Sequence, residues 1–499
     1  MKKKILLSLP ALILLALPRP APAETITQFL RAFHKNPARV MGRLPSVVDR
    51  KGRAHPQGYI NYRALGASFD YRNELRAQIT GVTEPPVADP EEEKDHVEKL
   101  VEPGVAVERN LPALEKFMAL SAPVKPWADS YWPTYRGQIA TRYGDPTFPK
   151  IKNWASNFSY AQSNPASMVV SSGDLSRINL LSPAEKYDFV LGDAEWTMTN
   201  YAWSRGRKAI EGFGVATWMG ICHGWAAASS MGAPFIEKPV TVLSQSGVPV
   251  TFYPQDIKAL QSMLWANGSP VSRFISRRCT VSRPSRNAYG RVIDPNCFDT
   301  NPATWHLAVT NQLGKNGRGF VFDGTYDAEV WNFPIASTQY RYFNPRTMEE
   351  TVGWKAATIP LTEYNTDKFR EFRSSHARSV VGIYMDVTYV IEIEPGIKRV
   401  YDAPTKTVRY IYDLELDENN SIVGGEWYSN AHPDFVWTFD TTAQAMARDE
   451  NVLLEDPWNN QNPVPLHWTA YARKASARGI PLYAFIKKIV ESGGPVHQP

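Results

Sequence analysis

The sequence feature that most restricts the fold is a run of small residues that begins at Cys222 and ends at Ser230. It reads Cys-His-Gly-Trp-Ala-Ala-Ala-Ser-Ser and predicts a helix, with Gly232 and Pro234 as stop signals. Small side chains let a helix pack closely against a sheet. We therefore expect an α+β fold in which this helix lies on an antiparallel sheet.

Cys222 occupies the predicted first position of this helix, two residues after Gly220. Free backbone N–H groups and the dipole at a helix N-terminus stabilise a thiolate and lower its pKa. The same N–H groups can donate to an oxyanion. The position therefore predicts a nucleophile, as in papain-like cysteine enzymes, and the alternative is a cysteine that is simply buried.

A base is expected on a strand that follows the cysteine in sequence. Residues 305–313 and 319–323 predict two strands, and Asn316-Gly317 between them predicts a hairpin turn. In the first strand Trp305 belongs to the apolar face, so His306 points the other way. His306 is the predicted general base.

The second strand supplies the carboxylate that would orient this base, and two residues compete for the role. The register of a two-residue turn places Asp327 opposite His306 and Asp323 on the same face. Asp323 follows His306 by 17 residues, which better matches the spacing in papain-like and transglutaminase-like enzymes. We predict Asp323 as the third member of a catalytic triad and keep Asp327 as the alternative.

Several tryptophans are candidates for an oxyanion donor or for walls that admit an amine and limit water. Trp218 lies four residues before Cys222, and its indole N–H is a candidate donor to the oxyanion. The candidate walls are Trp225, Trp305 and Trp331. The alternative for these residues is a place in the core.

The N-terminus predicts export. Three lysines precede an apolar run at residues 5–17, and Ala21-Pro22-Ala23 forms a cleavage signal, as in secretory signal peptides. The apolar run is too short to span a bilayer. We expect cleavage near Ala23, no stable membrane insertion, and a secreted or periplasmic protein.

An exported chain with three cysteines is expected to form a disulfide. Cys279 and Cys297 lie 18 residues apart in a loop-like stretch rich in Arg, Pro and Asn. We predict that these two pair. Cys222 then remains as the single free thiol.

Length and charge bound the remaining possibilities. The first 23 residues hold four of the 55 basic residues and no acid, so 51 basic residues face 50 acidic ones in the mature chain. This balance excludes a globally basic nucleic-acid binder.

The length of the chain and an acidic segment between prolines, near residues 85–102, predict several parts. These are a signal peptide (1–23), an N-terminal region that is a candidate pro-segment (24–125), a catalytic core (126–378), and a β-rich C-terminal region with a terminal helix (379–499).

Metal binding has one weak candidate. Residues 413–419 offer oxygen ligands for Ca²⁺ but lack the spacing of an EF-hand, and a solvated hairpin turn is the alternative. No Cys/His spacing indicates zinc. We therefore predict no certain cofactor and keep Ca²⁺ as an open candidate.

Four motifs in order resemble the transglutaminase elicitor family, the cell-wall transglutaminases of oomycetes and their bacterial homologues. They are Trp-Met-Gly-Ile-Cys-His-Gly-Trp-Ala (218–226), Val-Trp-Asn-Phe-Pro-Ile (330–335), Gly-Gly-Glu-Trp-Tyr (424–428) and His-Pro-Asp-Phe (432–435). The second motif is similar to the start of a surface peptide that plants recognise. It departs from that peptide at Phe333 and at residues 336–338, so recognition by plants is not implied.

This resemblance implies a papain-like fold and a triad carried onto Cys222, His306 and Asp323. It also implies a secreted protein-glutamine γ-glutamyltransferase that joins glutamine-bearing and amine-bearing proteins through a cysteine thioester. Calcium is a candidate because some transglutaminases require it. The alternatives are a peptidase or glutamine deamidase of the same fold, and a non-catalytic wall-binding protein.

Overall fold

A computed structural model describes residues 22–80, 95–212, 215–268, 271–398, 403–493 and 496–497. Most of the predicted signal peptide (residues 1–21) and most of the acidic segment (residues 85–94) lie outside the described residues.

The described strands are β1 (Ser46–Val48), β2 (Ala54–His55), β3 (Ala119–Ser121), β4 (Phe235–Ile236), β5 (Val240–Leu243), β6 (Pro249–Phe252), β7 (Arg273–Ser276), β8 (Val321–Asp323), β9 (Asn332–Asn344), β10 (Glu349–Thr351), β11 (Thr358–Pro360), β12 (Ser379–Val390), β13 (Thr405–Leu416), β14 (Ile422–Trp427), β15 (Phe435–Thr438) and β16 (Val496–His497). The α-helices are α1 (Ile26–Lys35), α2 (Pro37–Met41), α3 (Tyr62–Thr80), α4 (Leu111–Leu114), α5 (Trp154–Ser163), α6 (Ala166–Ser171), α7 (Leu175–Ile178), α8 (Pro183–Val190), α9 (Thr197–Gly212), α10 (Cys222–Ser230), α11 (Pro254–Asn267), α12 (Pro302–Leu307), α13 (Trp354–Ala357), α14 (Asn451–Leu454), α15 (Trp468–Ser476) and α16 (Tyr483–Ser492).

One large antiparallel sheet organises the molecule. Its path runs β2-β1-β13-β12-β9-β8-β15-β7, and β3, β10, β11 and β14 pair along its sides. The longest pairing joins β12 and β13 from Ser379↔Leu416 to Val390↔Thr405. Both strands are rich in β-branched and aromatic residues, as the sequence predicted for this region. The protein is thus a mixed α/β fold around an antiparallel sheet.

The N-terminal region contributes strands to this sheet, which corrects the prediction of a separate N-terminal region. Strand β1 pairs with β13 through Val47↔Val408, and β3 pairs with β9 through Leu120↔Thr338. Helix α1 buries Phe33 against Tyr428, with 4.5 Å between ring centroids. Strands from residues 24–125, 126–378 and 379–499 therefore share one hydrogen-bonded sheet.

The small-residue helix forms where the sequence predicted it, as α10. It packs against α11 on one side and against β9 of the sheet. A Cβ atom added at Gly224 would lie 2.0 Å from the backbone oxygen of Ser262 on α11. The glycine therefore permits a close approach of the two helices, which fixes the orientation of the start of α10.

The region predicted as a strand and hairpin around His306 is helical instead. Helix α12 spans Pro302–Leu307 and continues as a π-helix over Ala308–Lys315. Asn301 caps its N-terminus by accepting from the N–H of Ala303, and Pro302 stands at the first helical position. These start signals prevail over the β propensity of the following residues.

The predicted disulfide between Cys279 and Cys297 is present, and Cys222 is the free, buried cysteine. Within the described part of the chain, no helix is both long and apolar enough to cross a membrane.

A buried ion pair ties α8 to α11 behind the Cys222 helix. Lys186 Nζ lies 2.7 Å from Asp256 Oδ2, and both side chains are almost completely inaccessible to solvent. Tyr143 donates its hydroxyl hydrogen to Asp256 Oδ1 at 2.8 Å. Burial lowers the pKa of Lys186. Each charge is therefore stabilised only by its immediate partners.

Replacing Lys186 by methionine is expected to lower the free energy of unfolding by about 3–5 kcal/mol, because it leaves the Asp256 carboxylate buried without a counter-charge. Urea unfolding of the purified chain measures the change. The matched control is Lys487→Met, which breaks an exposed Lys487–Glu491 pair and should change stability little. Equal effects of the two variants would contradict the prediction.

Candidate active site around Cys222

The backbone before α10 positions the thiol. The N–H of Ile221 donates to the backbone oxygen of Tyr131 at 2.8 Å. A Cβ atom at Gly220 would lie 2.3 Å from that same oxygen. Only glycine fits here, so the chain passes against Tyr131 and turns directly into the helix that begins with Cys222.

The Cys222 thiol contacts the start of β9. Its Sγ lies 3.7 Å from the backbone oxygen of Val330, which can accept its proton, and Asn332 Nδ2 donates to Sγ at 3.5 Å. Trp437 on β15 donates its indole N–H to Asn332 Oδ1 at 2.8 Å. The tryptophan therefore fixes the amide so that its NH₂ group faces the sulfur. Cys222 is only 5% exposed.

Asp323 lies beside this contact because Asp323 on β8 pairs with Asn332 on β9. Its Oδ1 accepts hydrogen bonds from the Thr325 N–H, the Thr325 hydroxyl and the Trp331 N–H, at 3.2, 2.7 and 3.1 Å. Its Oδ2 is buried and accepts no hydrogen bond from the residues that the structure describes. Oδ1 therefore stabilises the loop through hydrogen bonds, while Oδ2 can accept a proton.

Electrostatics couple the two groups. Burial raises the pKa of the Cys222 thiol, the hydrogen bond from Asn332 lowers it, and the charge of Asp323 raises it. Burial also raises the pKa of Asp323 to about 7, against the hydrogen bonds from Thr325 and Trp331. The sequence predicted a thiol pKa lowered by the helix N-terminus, whereas in the structure burial is the largest influence on this pKa and acts in the opposite direction. A protonated thiol beside a carboxylate suits proton transfer at the moment of attack.

In the structure His306 contacts tyrosines of the core instead of this pair, which corrects its predicted place. Its Nδ1 lies 2.9 Å from the Tyr412 hydroxyl, and its ring packs on Tyr340 with 4.8 Å between centroids. His306 is thus brought together with the tyrosines of the core and not with Cys222 or Asp323.

Burial lowers the pKa of His306 to about 3, so the ring stays neutral near neutral pH. If the predicted acyl transfer takes place at Cys222, His306→Leu is expected to leave its turnover near the wild-type value, whereas loss of a general base costs about 10²–10⁴-fold. It should instead destabilise the fold by about 1–3 kcal/mol, because the buried Tyr412 hydroxyl loses its partner. Adding Tyr412→Phe should recover part of that loss in urea unfolding. A variant that is folded but inactive would restore His306 as the base.

The predicted wall residues divide into two groups. Trp225 and Trp305 are fully buried. The Trp225 indole donates to the backbone oxygen of Trp127 at 2.9 Å, and Trp305 packs edge-on against Phe320. Both belong to the core, which corrects their prediction as walls.

Trp331 and Trp218 are both half-buried. Trp331 lies near Cys222 in space, and Trp218 lies near it in sequence. Trp331 lies between the two residues that contact Sγ, and its ring packs edge-on against Tyr131 with 5.0 Å between centroids. Trp218 lies four residues before Cys222. Trp331 is therefore the candidate wall that the fold places at the thiol, and Trp218 stays a prediction.

The motif at residues 330–335 does not form a surface peptide in this structure. Asn332, Phe333 and Ile335 are buried, and the motif begins β9 against the cysteine. The resemblance to an exposed peptide is therefore corrected. In this chain the motif builds the wall of the thiol site.

The alternative carboxylate and the candidate calcium ligands have other partners. Asp327 Oδ1 accepts the N–H of Glu329 at 2.9 Å within the loop that follows β8. In the segment 413–419, Arg373 forms ion pairs with Asp413 and Glu415, and Asp417 accepts backbone hydrogen bonds in the turn. Among the described residues, no group of three or more His, Cys, Asp or Glu side chains is arranged to hold a metal ion.

Two residues of the site were missed at the sequence level, Asn332 and Trp437. Both lie more than 100 residues after Cys222, and they reach it through pairing of β8 with β9 and with β15. A polar Asn within the otherwise apolar motif of residues 330–335 was the available signal. Trp437 carried none, since an aromatic residue in a strand is ordinary core material.

Fold and site together define a mixed α/β protein with a helix-terminal thiol beside a buried carboxylate. Residues 97–451 match the model of the Transglutaminase elicitor family, and the chain belongs to that family. Among solved structures it is similar to the GP42 transglutaminase from Phytophthora sojae, with 21% identity, a TM-score of 0.49, and coverage of 78% of this chain and 94% of that chain. No curated protein matches the sequence.

Proposed function

We propose that the protein is a protein-glutamine γ-glutamyltransferase, a cysteine acyltransferase in which Cys222 is the nucleophile and Asp323 the proton acceptor. The observation that carries the proposal is the pairing of Asp323 with Asn332, which sets a buried carboxylate beside the thiol. Family membership supports the choice of acyl transfer. The substrates are a glutamine-bearing protein and an amine-bearing protein.

The reaction balances with these two groups alone. As Sγ attacks the glutamine carboxamide carbon, the thiol proton passes to Asp323. The C–N bond breaks, ammonia leaves with that proton, and a thioester remains on Cys222. An amine then attacks the thioester, its proton passes to Asp323, and the C–S bond breaks to return the thiol. The side-chain NH₂ group of Asn332 donates to Sγ and stabilises its negative charge.

This proposal differs from the predicted triad because, among the described residues, the hydrogen-bond partners of Cys222 Sγ are Val330 and Asn332 and not a histidine side chain. Asp323 was predicted to orient a histidine, and we propose that it exchanges the proton itself. Its pKa of about 7 is near the working pH that makes a carboxyl group an efficient acid and base. We further propose that the chain acts after export, as its N-terminus predicts.

The test is covalent incorporation of a fluorescent primary amine into a glutamine-rich protein, with and without calcium. We expect labelled glutamine and one ammonia released for each amine incorporated. Protein pretreated with iodoacetamide is the control and should give neither product. Ammonia release or peptide cleavage without incorporated amine would move the function to a deamidase or peptidase, and no reaction would favour a non-catalytic wall-binding protein.

A further inference from the structure

A cavity of about 410 Å³ lies where the loop closed by the disulfide meets the start of α12 and the end of β14. Its lining includes Cys297, Phe298 and Asp299 from the loop and Glu426 and Trp427 from β14. The volume is within the range of small-molecule pockets. None of these residues has a role in the proton transfers described above.

The charged side chains that line the cavity differ in their hydrogen-bond and ion-pair partners. Arg291 and Glu426 neutralise each other through two hydrogen bonds of 2.7 and 2.8 Å. Arg277, the other arginine of the lining, donates to the backbone oxygen of Pro295. The histidines of the lining are His96 and His432, and burial lowers the pKa of His432 to about 4, so its ring is neutral.

Two further carboxylates line the cavity, Asp95 and Asp299, and the charge of Arg277 acts on Asp299 while that of His96 acts on Asp95. Asp95 accepts hydrogen bonds from the hydroxyl of Ser276 and the N–H of Asn301, both neutral donors. Asp299 Oδ1 is buried and accepts no hydrogen bond from the described residues. A buried carboxylate oxygen without a donor carries a large desolvation cost, which a bound donor with a positive charge would offset.

The cavity adjoins the thiol site through Asp299. Burial raises the pKa of Asp299 well above its ordinary value, the charge of Arg277 lowers it and the charge of Asp323 raises it, and Asp323 in turn acts on Cys222. Thr300, next to Asp299, donates its N–H and its hydroxyl to the backbone oxygen of Asp434, directly before β15. The same strand carries Trp437, which holds Asn332 on the sulfur. The cavity therefore lies on the Asp323 side of the thiol.

We propose that this cavity binds the alkylammonium group of the acyl acceptor, such as a lysine side chain, with Asp299 as its principal charge partner. The inference rests on the proposed acyl transfer and adds to it the site that binds the amine before it attacks the thioester. Trp427 and Phe298 supply apolar surface for the methylene groups. Asp299 takes the ammonium head, and Asp95 adds a second negative charge.

A titration at equilibrium tests the site without turnover. The full mature chain with Cys222→Ala is titrated by calorimetry with n-pentylammonium chloride and, separately, with 1-pentanol, which has the same chain and no charge. We expect pentylammonium to bind at least about 10-fold more tightly than pentanol, because a charge-assisted hydrogen bond contributes ~1.5–3 kcal/mol. Equal binding of the two ligands, or no binding of either, would overturn the proposal.

A variant assigns the preference to Asp299. Asp299→Asn in the same background should raise the Kd of pentylammonium about 10-fold or more and remove most of the preference over pentanol. Asp294→Asn is the matched control. Asp294 lies in the same loop outside the cavity lining, caps a short helix, and tolerates Asn in that role. If Asp294→Asn weakens binding as much as Asp299→Asn, the ammonium does not bind in this cavity.

The outcomes separate this inference from the proposed function. Amine incorporation without a charge preference in the titration would leave the transferase standing and remove the amine site. A charge preference that depends on Asp299, without any amine incorporation, would leave an ammonium-binding cavity and remove the transferase. In the active chain, Asp299→Asn should raise the KM for an alkylamine more than that for hydroxylamine, which is largely uncharged at pH 7.5.

Discussion

Replacing Cys222 by serine is expected to lower amine incorporation by more than about 1,000-fold while the chain stays folded. The substitution is nearly isosteric, and the N–H of Asn332 can donate to a hydroxyl as it does to Sγ. The chemistry changes because an alcohol is a far weaker acid and nucleophile than a thiol. A carboxylate whose pKa is about 7 is too weak a base to deprotonate serine. Initial rates with a fluorescent amine at saturating protein substrate measure the loss.

Ser230→Ala is the matched control, because Ser230 ends the same helix and its hydroxyl donates to a backbone oxygen of its own turn. This variant should keep a rate near that of the wild type. A second readout is iodoacetamide without reductant, which should label Cys222 alone because Cys279 and Cys297 are bonded to each other. Substantial activity in Cys222→Ser would place the nucleophile elsewhere.

The sequence was sufficient to predict the Cys222 helix because its signals are local. Small residues, a glycine before the cysteine and a glycine after the helix act within one or two turns of chain. The disulfide was predictable for a related reason, since export and an 18-residue spacing restrict the pairing of three cysteines. Asp323 ends β8 within the predicted strand at residues 319–323, but its partner across the sheet is Asn332 and not the segment that carries His306.

The place of His306 could not be read in the same way. Residues 305–313 have side chains that suit a strand, and the helix start signals at Asn301-Pro302 compete with this propensity. Once the segment is helical, His306 faces Tyr340 and Tyr412, and these contacts depend on strands that follow in the chain. The Asn332–Trp437 hydrogen bond spans 105 residues and has no local signature. Long-range pairing decides the partners of the thiol, and a single sequence does not contain it.

The same pairing explains why the site is buried. Asp323, Asn332 and Trp437 come from three adjacent strands, β8, β9 and β15, in the interior of the sheet. Desolvation raises the pKa of both the thiol and the carboxyl, so each charged form is costly there. A single proton shared between two such groups is less costly than two charges, which favours the neutral thiol with the carboxylate as its acceptor.

Replacing Asp323 by asparagine is expected to lower turnover by about 10²–10⁴-fold with the fold intact. The amide cannot take the thiol proton, and the raised pKa of Cys222 keeps that proton in place at neutral pH. The fold should survive because, within the part of the chain that the structure describes, the hydrogen bonds to the Asp323 carboxylate all go to Oδ1. The Oδ1 of an asparagine can accept the same three hydrogen bonds, and its NH₂ group takes the place of Oδ2, which accepts none from the described residues.

The pH dependence separates this role from a merely structural one. In the wild type kcat/KM should rise as pH increases through about 7, because Asp323 must lose its proton before it can accept another. The native pKa of Asp323 lies above its ordinary value of 3.8, so the native state holds this proton longer than the unfolded chain. Its contribution to stability therefore falls as pH rises from about 4 to 7, and Asp323→Asn removes that loss. The variant should thus resist urea at pH 8 at least as well as the wild type, while its residual activity no longer rises through pH 7.

Asp327→Asn, in the neighbouring loop, should keep both the activity and the pH profile. A mild Asp323→Asn and a crippling Asp327→Asn would transfer the proton chemistry to Asp327.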